Sequence, residues 1–245
     1  MIKPFEFSYR LECDLPNPTI FDYFKIIQKW MQDASIAHAE EIGYGSDKMR
    51  EYNAFWAVAR LRVKQLGPII NHHNYRIITW PNPYDLVGID RNYQVFNENN
   101  QLIIIGIAKW VVIDKSSFSL IKPSHFELTK NHLVSPKEKI ISEGYLRYDP
   151  LDPSSLKMIV REVQPSEIDQ NTHVNNVMYL DYISEAFTNK RNRLFSISEY
   201  QINYSNSLFL TDKFTMNITD NDQEMHILAK TNDDNQLVFS AIIVY

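Results

Sequence analysis

Phe5, Phe7, Tyr9 and Leu11 alternate with polar Glu6, Ser8 and Arg10, the two-residue period of a half-buried strand. From Thr19 the period lengthens to that of a helix. Ile20, Phe24, Ile27 and Met31 share one face, and Asp22 stands three residues after Thr19 as in a capping box. At Asn53 the shorter period returns, with Phe55, Ala57, Ala59, Leu61 and Val63 on one side and Trp56, Val58, Arg60 and Arg62 on the other. Further strands are expected over 75–80, 87–96 and 102–113, the last apolar enough for a sheet centre.

The same order then recurs. A short strand is expected over 158–163 and a helix over 174–187, followed by strands near Tyr200, Phe214, Met225 and Leu237. Val177, Leu180, Ile183 and Phe187 mark the apolar face of this helix, with Asp181 and Glu185 largely outside it. Asn97-Glu-Asn-Asn-Gln-Leu102 matches Asn232-Asp-Asp-Asn-Gln-Leu237, each in a turn before the final strand of its series. A common hairpin turn would explain either segment alone, whereas the matching places favour an internal duplication. The expected division is a first domain at 1–125, a linker richer in Pro, Lys and Ser at 126–155, and a second domain at 156–245. Strands that cluster after one helix indicate the α+β class, a long helix lying on a strongly bent antiparallel sheet. Pairing the halves edge to edge would cover strand edges, so the chain could act as its own dimer; a homodimer of whole chains stays open.

Composition narrows the function classes. With 245 residues, 44% hydrophobic and 22% charged, the chain can bury a sizeable core. Its one cysteine, Cys13, permits no internal disulfide, and no Cys/His cluster has metal-ligand spacing, so a reducing compartment and no structural metal are expected. The N-terminal residues lack the apolar core of a signal peptide, and nowhere do about 18 apolar residues follow one another, which indicates a cytoplasmic protein without a stable membrane anchor. A net charge of -5 argues against general attraction to nucleic acid. Neither nucleotide-binding glycine fingerprint is present.

The most informative stretch is Ile168-Asp-Gln-Asn-Thr-His-Val-Asn-Asn-Val-Met-Tyr179, at a strand-to-helix junction. Helix N-termini present unpaired amides and a positive dipole end, suited to polarising a carbonyl or holding an oxyanion. Asp169, Asn171 and His173 alternate just ahead of that terminus and, in an extended segment, would project to one side. The plain structural reading treats Asp169, Asn171 and Asn175 as turn and cap residues and His173 as a packed junction residue.

Asp169-x-Asn171-x-His173-Val-Asn-Asn-x-x-Tyr179 resembles the signature of the acyl-acyl carrier protein thioesterases, and the tandem halves and total length are similar too. The resemblance implies two tandem hot-dog domains, no cofactor, and hydrolysis of an acyl thioester to a free fatty acid, a step of fatty acid biosynthesis. It implies a catalytic second half, with Asp169, Asn171 and His173, and a first half that chiefly shapes the acyl pocket. The first half agrees: Asp14-Leu-Pro-Asn-Pro-Thr19 holds the corresponding junction without a histidine. Phe24, Trp30, Met31, Trp56, Trp80 and Trp110 are acyl-pocket candidates, with ordinary core as the alternative for each.

One departure stands out. Where the family carries a glutamate on the strand after the catalytic helix, the alignment places Ser207, followed by Leu208 rather than by the cysteine of plant members. Water activation by His173 or Asp169, with Ser207 positioning the water, and direct attack by Asp169 through a mixed anhydride both remain open. Rival functions are an acyl-coenzyme A thioesterase and a non-catalytic acyl-binding hot-dog protein. The implied partner is acyl carrier protein, for which Lys190, Arg191 and Arg193 are docking candidates; cations at a helix C-terminus are also favoured by the dipole alone.

Overall fold

Two stretches of chain build the same sheet twice. The computed structural model describes residues 2–125, 138–148, 156–169, 172–188 and 197–245. It divides into two units, Met1–Asp14 with Ile26–Gly144, and Leu15–Lys25 with Tyr145–Tyr245. The first contains β1 (Phe5–Arg10), β2 (Ala54–Gln65), β3 (Asn74–Pro81), β4 (Ile89–Asn97) and β5 (Leu102–Asp114), in the order β1-β3-β4-β5-β2, with short β6 (Leu120–Ile121) on β5. The second contains β7 (Lys157–Glu162), β8 (Glu199–Tyr204), β9 (Lys213–Asp220), β10 (Glu224–Thr231) and β11 (Leu237–Val244), in the order β7-β9-β10-β11-β8. Counted along the chain, both sheets run first, third, fourth, fifth, second.

The matched turns support the duplication in atomic detail. They close the β4–β5 and β10–β11 hairpins, and each hairpin shifts register just ahead of its turn. Asn100 and Asn235, equivalent in the sequence match, both take positive φ, 59° and 57°. Asn tolerates this left-handed conformation better than most side chains do.

The long helix α1 (Ile20–Glu41) starts where expected: the Thr19 amide and hydroxyl donate to the Asp22 carboxylate at 2.7 and 2.8 Å. Its residues 20–25 count with the second unit, where Phe21 meets Phe187 and Phe24 meets Tyr200. In the first unit α1 lies on one face of the sheet. Trp30 stacks on Tyr9 of β1 and meets Tyr75 of β3 at a tilt, and Ser35 and His38 reach Tyr93 and Arg91 of β4. The opposite face is covered by residues 138–144. Ile141 is buried there, the Ile140 amide donates to Asn92, and the Gly144 carbonyl accepts from Arg62. That cover is why Arg62 is buried beside Leu61 and Val63, although strict alternation places it on the polar side. A register shift between Val58 and Arg60 breaks the alternation a second time.

Helix α2 (Ser46–Glu51) is not legible in the sequence, because its single apolar residue, Met49, has no periodic partner. Met49 anchors a satellite core with Ala54, Ile89 and Val112, against which Trp56 packs. In the second unit, α3 (Tyr179–Thr188) buries Tyr182 against Phe214 and Tyr179 against Phe239, with ring centroids 5.1 Å apart in each pair. It starts later than the expected 174, because Asn175 caps a 3-10 turn at Asn176–Met178 that precedes the α-helix.

The interior of the first unit makes stability depend on pH. Burial, then neighbouring Arg91, lowers the His38 pKa from 6.5 to about 4. The fold therefore favours neutral His38, and the unfolded chain binds the extra proton. This contribution is fully present above about pH 6.5 and is lost as pH falls toward about 4. Denaturant unfolding across that window should show a stability loss in the wild type that is smaller in His38→Gln. Equal slopes in the two proteins would remove His38 as its source.

Candidate active site

The junction between β7 and α3 is a closed loop rather than an extended segment. The Thr172 amide donates to the Asp169 carbonyl and the Asp169 amide to the His173 carbonyl, each at 3.0 Å, so the chain turns back on itself. The expectation that Asp169, Asn171 and His173 alternate along an extended strand is therefore corrected for Asp169 and His173. Proximity comes from the turn, which sets the His173 Nδ1 3.8 Å from the Asp169 Oδ1. This exceeds hydrogen-bond length but is close for an ion pair. Both side chains are about one-fifth exposed, at 23% and 20%, and so accessible to solvent and ligand. Asn171 lies outside the described residues, as do Lys190, Arg191 and Arg193.

A second turn braces the first. His173 pairs with Phe209 across a β-bridge, and the Val174 amide donates to the Leu208 carbonyl at 2.8 Å. The Phe209–Asp212 turn is closed by the Asp212 amide on the Phe209 carbonyl and the Phe209 amide on the Asp212 carboxylate. Thr172 and Thr211, one in each turn, have φ of 69° and 72°. Positive φ is costly for a β-branched residue and persists only where surrounding structure imposes it. Ser207 is exposed, immediately before Leu208 in this paired segment. The bridge thus brings the 207–209 segment alongside 173–174.

Sequence reading missed the group that holds the loop's base. Glu167 is 6% exposed, yet its carboxylate accepts from the Gln164 amide, Arg161 and the Tyr182 hydroxyl at 2.8–2.9 Å. Its carbonyl accepts from the Asn175 amide, bracketing residues 168–174. Arg161 also pairs with Glu185; burial works against its charge, but the two carboxylates raise its pKa. Burial first, then Glu167, pushes the Tyr182 hydroxyl far above its ordinary range, so it stays protonated as a donor. The readable signal was Gln164-Pro-Ser-Glu167, a capping box in which the glutamate reaches back to the Gln164 amide.

The plain cap reading holds for Asn175, whose side chain accepts from the Val177 amide at 3.1 Å. Together with the Met178 amide on the Asn175 carbonyl, this occupies two donors that the sequence offered for polarising a carbonyl. The six pocket candidates do not form one cluster. Trp110 bonds the Tyr93 hydroxyl, and the Met31 side chain lies with Tyr93 against Gly106 of β5, both between α1 and the sheet. Trp30 belongs to the stack with Tyr9 and Tyr75, and Trp56 to the satellite core. Trp80 donates to the Glu138 carbonyl on the far face, and Phe24 lies in the second unit. Among the described residues no group of three or more His, Cys, Asp or Glu side chains is placed to hold a metal ion.

The acyl-ACP thioesterase N-terminal domain matches residues 23–122, and the acyl-ACP thioesterase C-terminal domain matches residues 153–241. The chain belongs to the acyl-ACP thioesterase family. The palmitoyl-acyl carrier protein thioesterase of Gossypium hirsutum is 23% identical over 171 residues, 64% of this chain and 40% of its own length. The chain spans less than half the length of the curated plant relatives it matches. An acyl-ACP thioesterase from Bacteroides thetaiotaomicron superposes with TM-score 0.82 at 17% identity, covering 98% of this chain and 96% of that one. The 12:0-ACP thioesterase from Umbellularia californica gives 0.83 at 15%, with 98% and 96% covered. At such identities the superpositions establish the fold, so each unit is a hot-dog unit of this thioesterase family.

Tyr182→Phe should lower unfolding free energy by about 1–2 kcal/mol, the cost of removing one partner of a buried charged acceptor. Unchanged stability in denaturant titration would show that Tyr182 does not hold Glu167.

Proposed function

We propose that the chain hydrolyses long acyl thioesters carried by acyl carrier protein, releasing a free fatty acid for lipid metabolism. The observation that carries this reading is the pair His173 and Asp169, brought to 3.8 Å by a strained loop at the position where the family signature stands. Asp169 faces Nδ1, which leaves Nε2 of His173 as the nitrogen that takes a proton from water. Their separation shortens to a hydrogen bond when a substrate closes the site, as catalytic contacts commonly do. Asn171 supplies an amide to the thioester oxygen, a role that gains weight because Asn175 already occupies the Val177 amide. Ser207, on the segment bridged to His173, positions the water where the family glutamate is replaced. Under this reading the catalytic domain is 156–245, the acyl-pocket domain 1–125 and the connection 126–155. Met31 and Trp110 are the pocket candidates that the layer beneath α1 favours.

His173→Ala should keep its melting temperature and lose about 100- to 10,000-fold in turnover on an acyl-carrier substrate. A folded variant with normal turnover rejects the assignment. Retention of acyl ligand with no turnover in the wild type would favour a non-catalytic binding protein.

The carrier is recognised by charge, with Lys190, Arg191 and Arg193 meeting an acidic partner. Charge reversal at Arg191 and Arg193 should slow association with acyl-carrier substrates more than with coenzyme A esters, and salt should act the same way, since exposed charges are screened over about 8 Å. Equal effects on both substrates would remove the docking surface and favour a coenzyme A thioesterase.

A further inference from the structure

Between α1 and the sheet of the first unit lie two polar rungs, and one of them carries an unbalanced charge. In the first rung the Trp110 Nε1 donates to the Tyr93 hydroxyl at 3.2 Å. Ser35 donates to the Met31 carbonyl at 2.7 Å and lies 2.8 Å from the same hydroxyl, so the Tyr93 proton goes to Ser35. Every proton has an acceptor and there is no net charge. The second rung lies three residues along α1 and two back along β4, at His38 and Arg91. Arg91 Nη1 donates to the His38 Nδ1 at 3.0 Å and to the Thr79 hydroxyl at 3.4 Å, and both partners are neutral.

Arg91 is 6% exposed. Among the described residues no carboxylate pairs with it, and neither Nε nor Nη2 makes a hydrogen bond. A guanidinium keeps its proton under these conditions, and burying such a charge without a counter-charge is costly. The last turn of α1, which holds His38, offsets part of that cost through its dipole. Around this rung Phe5 stacks on His38, Ala108 pairs with Arg91 across the sheet and Ile89 shares its strand face, while the Lys3 backbone bonds His38 and Tyr93 stands near the guanidinium.

We propose that Arg91 is a carboxylate-binding group inside the first unit, taking the carboxylate of an alkyl chain that lies in the layer beneath α1. This rests on the reading that the layer receives an acyl chain. Apolar walls suit the chain, and the Nε and Nη2 donors form the fork that a carboxylate matches with two parallel hydrogen bonds. Two sources share this chemistry: the far-end carboxylate of a doubly acidic acyl group, and the head group of a released fatty acid.

Dodecanoate and dodecanedioate should raise the melting temperature of the full chain, with affinity about 10- to 100-fold weaker in Arg91→Met, the range for hydrogen bonds to a charged group. Arg91→Lys keeps the charge without the fork and should bind with intermediate affinity, which preserves the test if Arg91→Met fails to fold. Hydrolysis of the dodecanedioyl monothioester in preference to the dodecanoyl thioester, lost in the variants, assigns the site to the far end of substrate. Arg91-dependent binding of dodecanoate without that preference assigns it to released product. Binding that is absent, or equal in wild type and both variants, overturns the proposal. If no thioester is hydrolysed while Arg91-dependent binding persists, the thioesterase reading fails and the site stands. Hydrolysis with no Arg91-dependent binding or preference leaves the thioesterase reading and removes the site.

Discussion

Both units depend on one constraint: a helix must bury its apolar face on one side of an antiparallel sheet without stranding the polar groups of the segments entering and leaving it. Burial of that face supplies most of the driving force, at about 25 cal/mol per Å² of apolar surface. The polar groups at the helix entrance then decide local geometry, because a buried donor or acceptor left unpaired costs about 1–3 kcal/mol. In the second unit Tyr179 and Tyr182 press into Phe214 and Phe239, and the Asn175-capped 3-10 turn sets where α3 begins. The chain ahead of it must turn sharply to connect with β7.

Glu167 solves the entry problem for α3. One nearly buried carboxylate takes three donors from three different segments, and the same residue's carbonyl takes a fourth. The loop it brackets carries Asp169 and His173, with left-handed threonines at Thr172 and Thr211 in the two facing turns. Strain of that kind survives where packing on both sides over-determines the backbone. The base of the loop is held rigidly, while Asp169 and His173 above it stay partly exposed to solvent.

The first unit uses the same architecture differently. Its helix is longer and carries polar residues on the buried face, Ser35 and His38, that meet Tyr93 and Arg91 on the sheet. A layer with hydroxyls, an indole N–H and a guanidinium inside it is less stable than an all-apolar one of equal volume. Retaining those groups makes sense where the layer has a ligand to discriminate, whereas the corresponding layer of the second unit is packed with aromatic rings.

Strand and helix order apart from α2, the duplicated hairpins and the motif that carries Asp169 and His173 were legible along the chain. Each rests on local periodicity or on a short motif: the alternation of β1, the capping pair Thr19 and Asp22, and the matched asparagines that became Asn100 and Asn235. What tertiary structure decided was everything that depends on which face is covered. Arg62 and Trp80 are buried because residues 138–144 cross the far side of the sheet, and no periodicity announces that cover. Trp30, Trp56, Trp80 and Trp110 are equally aromatic in sequence but occupy three separate environments, since the sheet's two faces and the satellite core under α2 separate them. Asp169 and His173 meet through a turn rather than along a strand, because the Asp169 carbonyl and amide find their partners within the loop. Sequence determined which groups stand near one another in the chain; hydrogen bonding and burial determined which of them face one another in space.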